Sequence, residues 1–173
     1  MDKKVGLKYQ IELSEIRNND DVTLNITATP QECAVLAKRL GIPEVTSLTA
    51  TVTLKQGLRH DLFDVDGHVL AHVVQECSVT LDPLQETIDD NFSEMLTTSA
   101  KALAPIDEDN VDDQPVELIE GDRIDVTEIV SQWVGLSLNP YPRSDAPIFE
   151  HVEVEEGKPA HKPFEILENL KGK

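Results

Sequence analysis

Between Leu62 and Pro83 apolar side chains recur at every second position. Phe63, Val65, Val69, Ala71, Val73, Cys77, Val79 and Leu81 share one parity, interrupted at Gly67 and Gln75. The opposite parity carries Asp64, Asp66, His68, His72, Glu76, Ser78 and Thr80. A period of two assigns the first set to the dry face and the second to the wet face of a half-covered sheet. At about 3.3 Å per residue the stretch outruns an ordinary strand, so a bend or bulge is expected near Asp66-Gly67.

The same alternation predicts further strands at Leu7–Leu13, Val22–Ala28 and Leu48–Leu54, and a weaker one after Pro83. In the last, Ile88, Phe92 and Leu96 share a parity with Asp90 and Glu94, which suits an edge strand because inward charges discourage unwanted pairing. Thr29-Pro30-Gln31-Glu32 reads as a capping box with proline at the first helical position. Cys33, Leu36, Ala37 and Leu40 follow at helical spacing, and Gly41 and Pro43 stop the helix. Asp125-Val126-Thr127-Glu128 predicts a second helix start, with Val126, Ile129, Val130, Trp133 and Ser137 on one face and Asn139-Pro140-Tyr141-Pro142 ending it.

From Pro105 to Asp125 nine carboxylates face one arginine, so most of this stretch is expected to be a mobile acidic loop, at about 105–122. The expected fold is α+β: an antiparallel sheet, open or barrel-like, with two packed helices. Residues 1–143 form one domain in this reading, and 144–173 form a partly mobile acidic tail with a short terminal helix whose apolar stripe is Phe164, Leu167 and Leu170. The net charge of −18 argues against a surface that grips a phosphate backbone and favours a basic protein as partner. No apolar run approaches the roughly 20 residues needed to span a bilayer, and the first ten residues lack the apolar segment of a secretion signal, so a cytoplasmic protein without membrane contact is expected.

Chemistry is sparse. His68 and His72 on one extended strand lie roughly 13 Å apart, too far to share an ion. Asp107-Glu108-Asp109 lacks the glycine and spacing of a calcium loop. Cys33 and Cys77 both fall on apolar positions, which predicts packed thiols. No phosphate loop, dinucleotide fingerprint or serine elbow is present, so no cofactor, no metal and no enzymatic activity are expected. Arg143, beside Tyr141, is a candidate contact for a carboxylate or phosphate.

The order of landmarks resembles the YceD family of large ribosomal RNA subunit accumulation proteins. It rests on Glu32 to Pro43, Val74-Gln75-Glu76-Cys77-Ser78-Val79-Thr80-Leu81-Asp82-Pro83, the acidic stretch before Ile124-Asp125-Val126, Asn139-Pro140-Tyr141-Pro142-Arg143, and Pro163-Phe164 with Leu167 and Leu170. The resemblance implies a bacterial, non-enzymatic factor needed for normal accumulation of 23S ribosomal RNA, whose gene often neighbours that of a small basic large-subunit ribosomal protein. Many relatives carry a second cysteine three positions after the one matching Cys77. Here that position is Thr80, so a thiol pair or zinc role cannot operate in this chain.

Resemblance and charge together point to a binding factor for a basic large-subunit ribosomal protein or assembly factor. Its expected contacts are Asp107, Glu108, Asp109, Asp112, Asp113, Tyr141, Arg143, Phe164, Leu167 and Leu170, and its structural landmarks are Cys77, Pro83, Trp133 and Pro140. The alternatives are a direct RNA binder using Lys38, Arg39 and Arg143, and a hydrolase with an unrecognised site.

Overall fold

A computed structural model describes residues 2–18, 21–100 and 116–144. Its elements are β1 (Asp2–Val5), β2 (Gln10–Glu12), α1 (Leu13–Arg17), β3 (Asp21–Thr27), α2 (Pro30–Leu40), β4 (Glu44–Gln56), β5 (Leu62–Glu76), β6 (Pro83–Thr97), β7 (Val116–Leu118), β8 (Arg123–Asp125) and α3 (Val126–Leu136). Six strands form one sheet in the order β1-β3-β4-β5-β6-β7, and β2 pairs with β8 in a separate two-stranded sheet.

This corrects the expected fold class. The sheet is mixed rather than antiparallel, because β1 runs parallel to β3 and β7 parallel to β6. It is open rather than barrel-like, and 50% of the described residues are in strands against 22% in helices, so the molecule is mostly sheet. The physical reason is that alternation reports which face is dry but not the direction in which a neighbour pairs.

Cross-strand register puts Val22 opposite Leu54, Leu24 opposite Val52 and Ile26 opposite Ala50, and continues through Ala50 with Val69 and Ala71 with Ile88. These side chains are buried on one face, with α1 and α2 packed on β4 and α3 on β5. The other face is polar, and carries a Thr23–Thr53 hydroxyl pair and a bond from Ser93 Oγ to Asp66.

Helix α2 forms as its caps dictate. Thr29 Oγ1 accepts the Glu32 amide, Glu32 accepts the Thr29 amide at 2.8 Å, and Gly41 closes the helix at φ 69°, where a side chain is unfavourable. Helix α3 keeps half of its expected box: Asp125 accepts the Glu128 amide, while the Glu128 carboxylate pairs with Arg39 instead.

Three other expectations are revised. The predicted strand Leu7–Leu13 survives only as β2, because Leu13 already opens α1 and buries with Ile16, three residues on. Residues 116–125, placed largely in the acidic loop, supply β7 and β8. No bulge occurs at Gly67: the β5 register is continuous there, and the one shift lies in β4 between Val45 and Ser47. Gly67 instead faces Phe92 across the ladder, and a Cβ at position 67 would meet the ring edge at 2.6 Å. That ring stacks on Trp133, centroids 5.2 Å apart.

Candidate functional site

The β5–β6 hairpin extends past the last β4 partner, Glu44 opposite Val74, through Gln75–Leu84 to Glu76–Pro83. Its tip is closed by the Cys77 amide donating to the Asp82 carbonyl at 2.8 Å and the Leu81 amide donating to the Cys77 carbonyl at 2.9 Å. Making this turn puts Leu81 in the left-handed region, at φ 62°.

The segment that follows α3 packs against this tip. The Ser78 amide donates to the Pro142 carbonyl at 2.8 Å, Gln75 Nε2 to the Asn139 carbonyl at 3.1 Å, and Cys77 Sγ lies 3.8 Å from Ser144 Oγ. Asn139 Nδ2 reaches Glu86, and its Oδ1 accepts the Tyr141 amide at 3.0 Å. Two stretches remote in sequence thus become one surface. Pro83 opens β6 at its base, and Pro140, Tyr141 and Arg143 are exposed above it.

Cys77 is buried, as its parity implies, but it is not electrostatically bland. Bonds from the Thr80 hydroxyl and amide, the latter at 3.4 Å, then from the Ser144 and Val79 amides, hold its thiol down to about 6. The thiol is packed as expected, but the Thr80 hydroxyl and the local N–H donors outweigh the effect of burial. Cys33 behaves as expected, with burial in the core pushing its pKa up.

The acids on the inner parity of β6 each meet a donor from α3 or just beyond it. Trp133 Nε1 donates to Glu94 at 3.3 Å, Ser137 Oγ to Asp90 at 2.8 Å, and Asn139 to Glu86. Burial raises the Glu94 pKa, and its other oxygen has no partner among the described residues. β6 is not the edge strand expected, since β7 pairs with Met95–Thr97, and this seam explains why it tolerates charges beside Ile88, Phe92 and Leu96.

The histidines are tied locally, His68 to Asp89 at 2.7 Å and His72 to Thr87 at 3.1 Å. Among the described residues no group of three or more His, Cys, Asp or Glu side chains is arranged to hold a metal ion, and no helix is long and apolar enough to cross a membrane. A groove of about 790 Å³ runs between α2 and α3 over Leu7, Tyr9, Val35 and Leu36. Most of its charged rim is already engaged: Arg39 clamps Glu128 with both terminal nitrogens, Glu32 caps α2, and Asp125 accepts from Gln10.

Of the expected contact residues, only Tyr141 and Arg143 fall among those described. Asp107, Glu108, Asp109, Asp112, Asp113, Phe164, Leu167 and Leu170 lie outside them. The structure adds Val79 and Leu81, whose alternation assigned them to the dry face but which are exposed on the tip. The usable signal was Pro83, which lacks a ladder donor inside a strand and so marks a strand start.

A family model described as large ribosomal RNA subunit accumulation protein YceD matches residues 65–171. No curated protein and no solved structure matches the chain. The matched span takes in the hairpin, its tip, α3 and the segment closing over them, and the chain therefore belongs to the YceD family, whose name ties it to accumulation of large-subunit ribosomal RNA.

Proposed function

We propose that this chain supports large-subunit ribosomal RNA accumulation in the bacterial cytoplasm as a non-enzymatic binding factor, engaging a basic ribosomal protein or assembly factor rather than RNA itself. The observation that carries this reading is that half of the described Lys and Arg side chains are already paired with carboxylates. Lys3 pairs with Glu15, Arg39 with Glu128, Lys55 with Asp66, Arg59 with Asp61, and Arg123 with Glu12 and Asp122. Gripping a phosphate backbone needs clustered, uncommitted Lys and Arg, and one member of the Lys38-Arg39-Arg143 set is already clamped by a carboxylate. The remaining acidic excess attracts a basic protein at long range, speeding encounter and offering carboxylates where RNA phosphates will later sit.

The test is retention on the immobilised full chain at moderate salt, with proteins extracted from purified large subunits in one arm and protein-free 23S ribosomal RNA in the other. Retention of one or more basic proteins is expected. RNA binding without protein, with affinity falling steeply as salt rises, would overturn the proposal in favour of direct RNA contact.

A further inference from the structure

The hairpin tip carries three apolar side chains facing solvent: Val79, 43% exposed, Leu81, 70%, and Tyr141, 74%. They are neighbours, because the Ser78–Pro142 backbone bond joins the residue before Val79 to the residue after Tyr141, and Leu81 closes the same turn on Cys77. Single exposed apolar residues need no explanation, but a cluster on a projecting tip does. Leu81 is the most informative. Its backbone occupies the left-handed region, which bulky L residues rarely adopt and glycine adopts freely. A leucine there gives up backbone comfort without gaining burial within this chain.

The charges around the cluster indicate what covers it. Glu76 and Asp82 flank the turn, and Glu86 follows on β6, bonded to the neutral side chain of Asn139. None of these three carboxylates forms an ion pair among the described residues, whereas Lys3, Arg39, Lys55, Arg59 and Arg123 pair with carboxylates elsewhere. Arg143 is the one fixed cation of the covering segment. An apolar contact ringed by unneutralised carboxylates repels nucleic acid and complements a segment that offers an apolar anchor between lysines or arginines.

We propose that Val79, Leu81 and Tyr141 form the apolar centre of a docking surface for a lysine- and arginine-rich segment of a protein partner, with Glu76, Asp82 and Glu86 as its charged rim. This rests on the reading above, that the partner is a basic protein, and adds where it docks.

Leu81→Gly separates docking from folding, because glycine relieves the left-handed backbone while deleting the side chain. The protein retained in the binding experiment above is purified, and its Kd is measured against full-length wild type, Leu81→Gly, Tyr141→Ala and the double variant Glu76→Gln/Asp82→Asn. Leu58→Ser serves as the control, being fully exposed on the turn at the opposite end of β5.

Leu81→Gly and Tyr141→Ala are each expected to weaken binding by about tenfold or more, Leu81→Gly with an undiminished melting temperature, and the charge variant to reduce the salt dependence. Leu58→Ser should bind as wild type does. Three outcomes would overturn the proposal. If wild type retains no large-subunit protein, the functional reading falls and the docking site with it. If a protein is retained but Leu81→Gly and Tyr141→Ala bind it within twofold of wild type, the reading stands and the site is wrong. If Phe164→Ser in the full chain tightens binding about tenfold, the patch belongs to the chain's own C-terminal apolar stretch.

Discussion

Gly67→Ala tests the close packing of the β5–β6 ladder against α3. A methyl at position 67 would sit 2.6 Å from Phe92 Cε2 and closer still to Cζ, where ordinary contact needs 3.4 Å or more. The ring has no easy retreat, since Trp133 stacks against it with planes 12° apart. Overpacking of this kind costs about 1–3 kcal/mol, and full ejection of the ring sets a ceiling of roughly 3–5 kcal/mol, the cost of losing a buried phenylalanine. Against this, alanine gains about 0.5–1 kcal/mol over glycine in a strand. The expected net loss is therefore about 2 kcal/mol, read as a lower urea midpoint.

Trp133 is the chain's one tryptophan, so its fluorescence reports the displaced stack directly. Phe92→Leu closes a double-mutant cycle, because leucine lacks the Cε and Cζ atoms that clash. In that background only the about 0.5–1 kcal/mol gain of alanine over glycine should remain, giving a coupling of about 2.5–3 kcal/mol. Equal cost in both backgrounds, or no cost in wild type, would refute the assignment of Gly67 to ring packing.

Three further substitutions follow. Cys77 has a folded pKa near 6, below its ordinary value of 9.0, so its contribution is full above pH 9 and lost as pH falls through 6. The stability of wild type relative to Cys77→Ala should thus grow between pH 6 and 9 in urea titrations, and a flat difference would count against the donor cage. Glu94 is shifted the other way by burial, so the stability lent by its raised pKa is present at low pH and lost as pH rises through the folded value. Glu94→Gln should therefore gain on wild type from pH 4 to 8, with a constant offset refuting it. Thr29→Ala removes the hydroxyl of the α2 capping box and should cost about 1 kcal/mol by chemical denaturation, while an unchanged midpoint would show that proline at the first helical position suffices.

Elements whose local signals agreed were legible in the sequence. Helix α2 had cap, proline, apolar stripe and stop glycine all pointing to one answer, and β3 and β4 had alternation bounded by turn residues. What failed had a period without a unique meaning. Leu7, Ile11 and Leu13 are all buried on an alternating pattern, yet only Gln10–Glu12 pairs as strand, because burial parity does not require a ladder. Cys77, Val79 and Leu81 share parity, yet the first is buried and the others face solvent, because the strand ends at Glu76 and the chain must turn before Pro83. The candidate site was legible only in pieces. Its two motifs were visible, but their meeting depends on the Ser78–Pro142 and Gln75–Asn139 bonds, which no local pattern encodes.

The position of the tip follows from the order of the strands. β5 and β6 outlast β4, so the last rungs of the hairpin have no neighbour on the β4 side, and their inner face would stay open without another cover. The segment after α3 supplies it, anchored by Gln75 and Glu86 rather than by apolar packing alone. Polar anchors fix the segment in one register while leaving its outer side, Tyr141 and Arg143, free of the core. The same arrangement leaves Glu76 and Asp82 without ion pairs among the described residues, at the end of the molecule that is least supported by the sheet. Neutralising those carboxylates with a basic segment would relieve their mutual repulsion and cover Leu81 in one step, so docking and stabilisation of the tip are thermodynamically linked. A partner that bound elsewhere would leave the Leu81 turn no more stable than in the free chain.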